Sequence, residues 1–339
     1  MKIIEHIRKR PGMYIGEMTI RGLKTLLGYF FDDIINNKIG KSEIVVDFRK
    51  NNWICLKIDN VDTSLFVKTI NNLENENEFV IFGLPVIIAL SEQTKIKITH
   101  STSLLILTST RGIYEHATTT TQCEFDRIDI EFKLDDTIFK EIILDYEVLN
   151  QFIRRYAFIN NNLKIVSTDS RTEVKQVNLF DYPNGILHQL DFKIGEQYYG
   201  EPFLKLDLNT EIGEYEYQIC FSYQNSWLGQ TYIMTYANYD ELIHGGSLEQ
   251  GVLEGIKLAL QKSANKRNVE IDRRKIKEQL ILIAVAKGDN FNFYGPVKTK
   301  LTMPKMRKEI KQYVAGQMLT YLADNYEIEQ EFLNKHKRI

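Results

Sequence analysis

Little in this chain of 339 residues could staple it or anchor it. Its three cysteines, Cys55, Cys123 and Cys220, lie far apart and in no paired or metal-ligand spacing. That excludes a disulfide framework and a zinc ribbon and predicts buried, reduced thiols. No apolar run approaches the roughly 20 residues of a membrane span, and the N-terminus is charged, so neither a span nor an export signal is read and a cytoplasmic protein is expected. Charge of one sign is also lacking: a formal net charge of -2 gives no support for strong phosphate binding.

What is present is an ordinary globular composition, 43% hydrophobic and 26% charged, in a chain long enough for two domains. Met1 to Arg10 reads as a short helix. Ile7 to Gly16, I-R-K-R-P-G-M-Y-I-G, then reads as a loop, because Pro11 and Gly12 end a helix. From Gly22 the apolar positions Leu23, Leu26, Leu27, Phe30, Phe31, Ile34 and Ile35 follow a helical period with one buried stripe. Strands are predicted at Glu43–Phe48 and Trp53–Ile58, joined by a polar turn, and again at Lys95–Thr99, Leu104–Ser109 and Ile128–Phe132, giving an antiparallel sheet covered by helices on one face. A helix from Asp145 to Asn160, a strand at Leu163–Ser167 and a helix opened by Asn184-Gly185-Ile186-Leu187 follow. Strands at Glu201–Leu208 and Tyr215–Tyr223 precede a Gly245-Gly246 turn, with Ser247 placed to N-cap a helix running to Gln261. A strand at Lys277–Ala286 and an amphipathic helix, Lys305–Asn325 with Ile310, Val314, Met318 and Leu322 on one stripe, complete the reading.

Three stretches carry a family likeness: Arg8 to Gly16, His244 to Gly251 (H-G-G-S-L-E-Q-G) and Lys298 to Leu301. They resemble the ATPase and transducer regions of bacterial DNA gyrase B and topoisomerase IV B subunits, of the GHKL ATPase superfamily. The resemblance implies an α+β fold, a two-layer α/β sandwich over residues 1–192 followed by a smaller β-α-β transducer domain over 193–339. It also implies where an ATP site would lie. In the family a glutamate on the helix after the R-K-R-P-G-M-Y-I-G loop polarises the attacking water, and an asparagine four residues on holds magnesium. That spacing puts both on one helix face. Here those positions hold Tyr29 and Asp33.

Other parts of the implied site differ as well. Asp59 stands for the adenine-binding aspartate of D-x-G-x-G, but Val61 and Thr63 replace the glycines. Of the glycine-rich phosphate loop only Gly83 remains, and the span from Asp59 to Gly83 is short for the usual lid. Arg127-Ile128 replaces a glycine-threonine pair that faces the base. Lys298 stands for the lysine that meets the γ-phosphate, after Pro296-Val297 in place of Gln-Thr. Asp33, Asn36, Asp59, Gly83 and Lys298 are therefore what remains of a nucleotide site, with Asp33 the candidate metal ligand.

Each residue also has a plainer reading. Tyr29 fills space as a core aromatic, Asp59 caps a strand end, Asp32 and Lys298 are solvated, and the basic segments Lys262–Lys277 and Lys300–Lys311 are solvated helix faces with at most weak DNA contact. Two functions follow. In one, the chain is a non-catalytic binding or regulatory module with no nucleotide cofactor, partnered by a type II topoisomerase subunit or another protein. In the other it is a divergent ATPase using ATP and magnesium through Asp33 or Asp32 and Lys298. Under either reading the chain starts almost at the motif, so the family's dimerising N-terminal arm is expected to be missing and a homodimer is left open. It ends at Ile339, so no metal-binding cleavage (TOPRIM) domain is expected and it is not a complete topoisomerase.

Overall fold

The computed structural model describes residues 3–74, 81–121, 125–140, 142–196, 202–224, 229–295 and 298–338. Two compact units are present, Met1–Pro183 and Asn184–Ile339. The second therefore begins earlier than residue 193.

In the first unit three helices come first: α1 (Ile3–Lys9), α2 (Pro11–Ile15) and α3 (Ile20–Asn36). The segment expected as a loop thus contains a short helix. Pro11 starts it, at a position where the missing N–H has no helical partner to lose, and Gly16 closes it at φ 72°. Thr19 caps α3 by accepting from the Arg21 amide.

Then come β1 (Lys38–Arg49), β2 (Trp53–Val61), α4 (Ser64–Asn71), α5 (Gly83–Leu90), β3 (Ser91–His100), β4 (Ser103–Thr110) and β5 (Ile113–Thr120). β6 (Arg127–Leu134), α6 (Tyr146–Ile159), β7 (Leu163–Asp169) and β8 (Gln176–Asp181) complete the unit. The strands form one sheet in the order β5-β4-β3-β6-β2-β1-β7-β8. It is mixed rather than antiparallel, since β1 and β7 run parallel across the helix-bearing connection.

Alternation along the central strands builds the core. Ile165, Ile44, Ile58, Ile128, Ile98 and Leu105 stand in one row across six strands. Ser167, Val46, Leu56, Ile130, Ile96 and Leu107 form the next. All are essentially inaccessible, lying under the helical layer; each fully buried aliphatic side chain contributes roughly 1.5–3 kcal/mol. The opposite face carries charge, as in the rows Lys57–Asp129–Lys97 and Cys55–Glu131–Lys95. Because side chains switch face every residue, a one-residue slip would exchange the two faces.

The second unit contains α7 (Ile186–Glu196), β9 (Leu204–Ile212), β10 (Tyr215–Tyr223), β11 (Tyr232–Ala237), β12 (Asp240–Glu241), α8 (Ser247–Arg267), β13 (Leu280–Lys287), α9 (Pro304–Asp324) and α10 (Tyr326–Lys335). Its sheet order is β12-β11-β13-β10-β9, with β11 and β13 parallel and joined through α8, a β-α-β unit. α7 packs against β10 and β13, on the face that carries Cys220, whose thiol approaches the Ile186 carbonyl. Ser247 is the first helical residue of α8 rather than its cap. Gly246 takes the cap position, at φ 121° and hard against the Leu301 backbone, and the Ser247 hydroxyl instead accepts from the Met303 amide at 2.6 Å.

Cys55 and Cys220 are free, buried thiols, and burial is the main cause raising both, Cys55 to about 11. Cys123 lies outside the described residues. No described helix is long and apolar enough to cross a membrane.

α8 and α9 meet along Gly251 and Gly255. A Cβ on Gly255 would lie 2.8 Å from Val314 Cβ and 2.9 Å from the Lys311 carbonyl. The exposed Gly316 on α9 has nothing within 4 Å. Helix propensity alone favours alanine at both positions by up to about 1 kcal/mol. We expect Gly316→Ala to raise the denaturation midpoint. Gly255→Ala should instead lower stability by about 1–3 kcal/mol, because contact at the helix crossing outweighs propensity. Equal stabilisation by both substitutions, in denaturant titrations, would contradict this packing.

Candidate functional site

The residues at the ends of α3 and α5 meet in one place. Gly83, the first residue of α5, lies so close to α3 that an added Cβ would come within 2.6 Å of Phe30 Cα. Only glycine fits there. The approach brings the Asp33 carboxylate against the first amides of α5: Gly83 N–H donates to Oδ2 at 2.6 Å and Phe82 N–H donates to Oδ1 at 3.4 Å. A helix N-terminus presents unpaired N–H groups and the positive end of its dipole, so an anion is stabilised there. In this chain the anion is Asp33 itself.

Asp33 is nevertheless expensive to ionise. Burial is the largest influence and lifts its carboxyl from 3.8 to about 6, while the Gly83 and Phe82 amides pull it back down. Asn37 donates its side-chain amide to the Asp33 carbonyl at 2.7 Å and so closes the end of α3. Asp32, the preceding residue, is partly buried and lies about 100° around the helix. Asn36 is exposed in the last position of α3.

Tyr29, one turn before Asp33, ties α3 to α2. Its hydroxyl donates to the Tyr14 carbonyl at 2.7 Å, and its ring meets Phe82 edge-on at 5.0 Å. The Tyr14 ring stacks on Phe82 at 5.9 Å, and the Tyr14 hydroxyl bonds His6 Nδ1. Four rings, His6, Tyr14, Phe82 and Tyr29, thus form one cluster beside the Asp33 carboxylate. Of the four, sequence reasoning read Tyr29 as a space-filling aromatic and Ile81-Phe82 as packed surface, and missed His6 and Tyr14. An aromatic at Phe82, just ahead of a glycine-led helix, was the available signal for the rest. Arg8 fixes the other end of α5, donating to the Ala89 carbonyl and to the buried Asp135 carboxylate, each at 2.5 Å.

Asp59 stands apart from this cluster. It is on the strand face opposite Ile58 and forms a two-pronged pair with Arg127, its direct cross-strand neighbour, at 2.6 and 3.3 Å. Beyond it Val61, Thr63 and Ile128 are wholly buried. The Thr63 hydroxyl lies 2.8 Å from both Asp126 Oδ2 and His100 Nδ1. Where the family resemblance implies open backbone beside a base, these side chains are packed and hydrogen-bonded.

In the second unit Lys298 pairs with Asp240 at 3.3 Å and lies 6.0 Å above the Phe293 ring, with its side chain 63% exposed. Pro296 and Val297 are outside the described residues. Several cations in the basic segments have acidic partners within the unit: Arg267 with Glu329, Arg274 with Asp272, Lys277 with Glu249, and Arg307 with Glu254. Among the described residues no cluster of three or more His, Cys, Asp or Glu side chains could hold a metal ion.

A carboxyl raised by folding binds its proton more tightly in the native state, so the stability it contributes is complete below about pH 4 and is lost as pH rises through about 6. An asparagine side chain in its place would not titrate. The stability of the native protein relative to Asp33→Asn should therefore fall by roughly 2–3 kcal/mol between pH 4 and pH 7. A difference that stays constant over that range, in denaturant titrations, would contradict the buried placement.

A family model described as DNA gyrase B matches residues 185–338. The gyrase B subunit of Clostridium acetobutylicum is 25% identical over 380 residues, covering 98% of this chain and 56% of that protein. The gyrase B subunit of Staphylococcus aureus is 24% identical over 369 residues, with 98% and 56% covered. This chain thus spans about half the length of the relatives it matches. Among solved structures, the 43K ATPase domain of Thermus thermophilus gyrase B in complex with an aminocoumarin superimposes with a TM-score of 0.81 at 20% identity, covering 98% of this chain and 93% of that one. The B subunit of DNA gyrase from Myxococcus xanthus gives 0.82 at 18%, covering 98% and 99%. Residues 185–338 thus match the DNA gyrase B family model, and nearly the whole chain has the fold of the solved gyrase B ATPase-domain structures.

Proposed function

We propose that this gyrase B-like region has lost ATP hydrolysis and serves as a non-catalytic binding or regulatory module of a type II topoisomerase system, its partner a topoisomerase subunit. The observation that carries the reading is the Asp33 carboxylate on the Gly83 and Phe82 amides. In the resembled family the start of this helix cradles phosphate, and a fixed carboxylate competes for the same N–H groups and repels a second anion. Tyr29 supports it further. It supplies no carboxylate to polarise a water, and its hydroxyl is engaged by Tyr14. Loss of a general base alone costs about 10²–10⁴ in rate. At the base end, Val61, Thr63 and Ile128 leave packed side chains where an adenine would need room.

The competing reading keeps a working ATPase, with Asp33 as base and Lys298 on the γ-phosphate. Asp33, lifted to about 6, has a suitable proton affinity for that role, but its carboxylate is already committed to two amides. Calorimetric titration with ATP and magnesium separates the two. No saturable heat up to millimolar nucleotide is the expected result, for the protein and for Lys298→Ala alike. Saturable binding that weakens in Lys298→Ala would overturn the proposal and return the chain to the ATPases.

A further inference from the structure

Met234, within β11, shares a strand face with Tyr232 and Tyr236, since side chains two residues apart point the same way. Three donors converge on its sulfur. Gln189 Nε2, from α7, donates to Sδ at 3.3 Å, the Tyr232 hydroxyl donates at 3.4 Å, and the Tyr236 hydroxyl donates as well. Gln189 also donates to the Tyr236 hydroxyl at 3.4 Å, and Lys193, one turn along α7, places its ammonium 4.9 Å from the centre of the Tyr232 ring. Gln189 and Tyr236 are buried. Burial is also the main cause raising the Tyr232 phenol well above its usual range, so it keeps its proton and remains a donor.

A thioether is a poor match for such surroundings. Its sulfur is only a weak acceptor, yet an amide N–H and two phenol O–H groups are aimed at it. Donors held away from water without a strong acceptor cost free energy. The contrast within the chain is clear: Met306 and Met318 pack in the apolar core of the second unit, whereas Met13 and Met18 are 68% and 41% exposed. Met234 lies between these extremes, partly exposed and ringed by donors.

We propose that Met234 is a site of reversible oxidation, in a pocket that suits the sulfoxide better than the thioether, with a peroxide as the oxygen donor. A sulfur lone pair attacks one oxygen of hydrogen peroxide, an S–O bond forms as the O–O bond breaks, and the other oxygen leaves as water. Sulfur is oxidised by two electrons and the peroxide reduced by two. Sulfoxide in a core is normally disruptive, because a polar oxygen replaces an apolar surface. Here Gln189, Tyr232 and Tyr236 gain a strong acceptor, and α7 is held more firmly to β11. Gln189 and Tyr236 are in contact with each other and so flank one side of the sulfur. They favour the lone pair on that side, and one sulfoxide epimer forms in excess.

The test treats the full chain, carrying Cys123→Ser, with graded hydrogen peroxide and locates added oxygen by peptide mass spectrometry. While the protein stays folded, Met234 should gain one oxygen, and Met306 and Met318 none. Applied to the released peptide, one of the two epimer-specific methionine sulfoxide reductases should remove most of that oxygen and the other little. The effect on stability is read in denaturant titrations as the difference from Met234→Leu under the same treatment. Oxidation of Met234 should leave the folding equilibrium constant within about twofold, or raise it. With Gln189→Leu and Tyr232→Phe in both chains, the same oxidation should lower it by about tenfold or more, because the oxygen is then buried with fewer donors. Should those variants misfold by circular dichroism, the epimer ratio still decides the matter. An unmodified Met234, an even mixture of epimers, or an equal loss of stability with and without the donors overturns the proposal.

Discussion

A carboxylate held at the N-terminus of a buried helix organises the first unit of this protein. α5 is apolar along its whole length and fully buried from Gly83 to Leu90, so its first N–H groups cannot be left to water. Asp33 satisfies two of them. The contact requires α3 and α5 to approach closely, which requires glycine at position 83, and it sets the aromatic cluster of His6, Tyr14, Phe82 and Tyr29 beside it. At the other end Arg8 takes the Ala89 carbonyl and carries its charge onto Asp135. The helix is thus pinned at both ends by side chains of this chain.

Under the proposed function the same contact bears on stability. A helix start open to a phosphate must keep its amides unpaired until ligand arrives, at a cost in the free protein. Supplying the anion from α3 removes that cost and leaves a buried carboxyl with raised proton affinity instead. Asp59 follows the same logic on the far face of the sheet, where Arg127 takes up its charge across the strands. Asp59 is one member of the charged face that also carries the Lys57–Asp129–Lys97 row.

Much of the fold was legible in the sequence, because alternation in β1, β6 and most of β3 and the Ile310, Val314, Met318, Leu322 stripe of α9 are strong periodic signals. What escaped was short or context-dependent. α2 was hidden by Pro11-Gly12, which end a helix in one register and start one in another. β5 is exposed on both faces and so shows no hydrophobic alternation. The parallel pairing of β1 with β7 is a property of topology that no local pattern encodes. At the site, the exchange of residues at positions 29 and 33 was visible. The use of Asp33 as a ligand for the Gly83 amide was not, since it depends on two segments fifty positions apart meeting in space.

The amide resonance of Gly83, followed by NMR from pH 4 to pH 8 with and without ATP, tests the central contact most directly. If Asp33 holds that amide, the resonance moves with a midpoint near pH 6 and is unchanged by nucleotide. A resonance indifferent to pH but shifted by ATP would show the helix start open to phosphate and would contradict a site closed by Asp33.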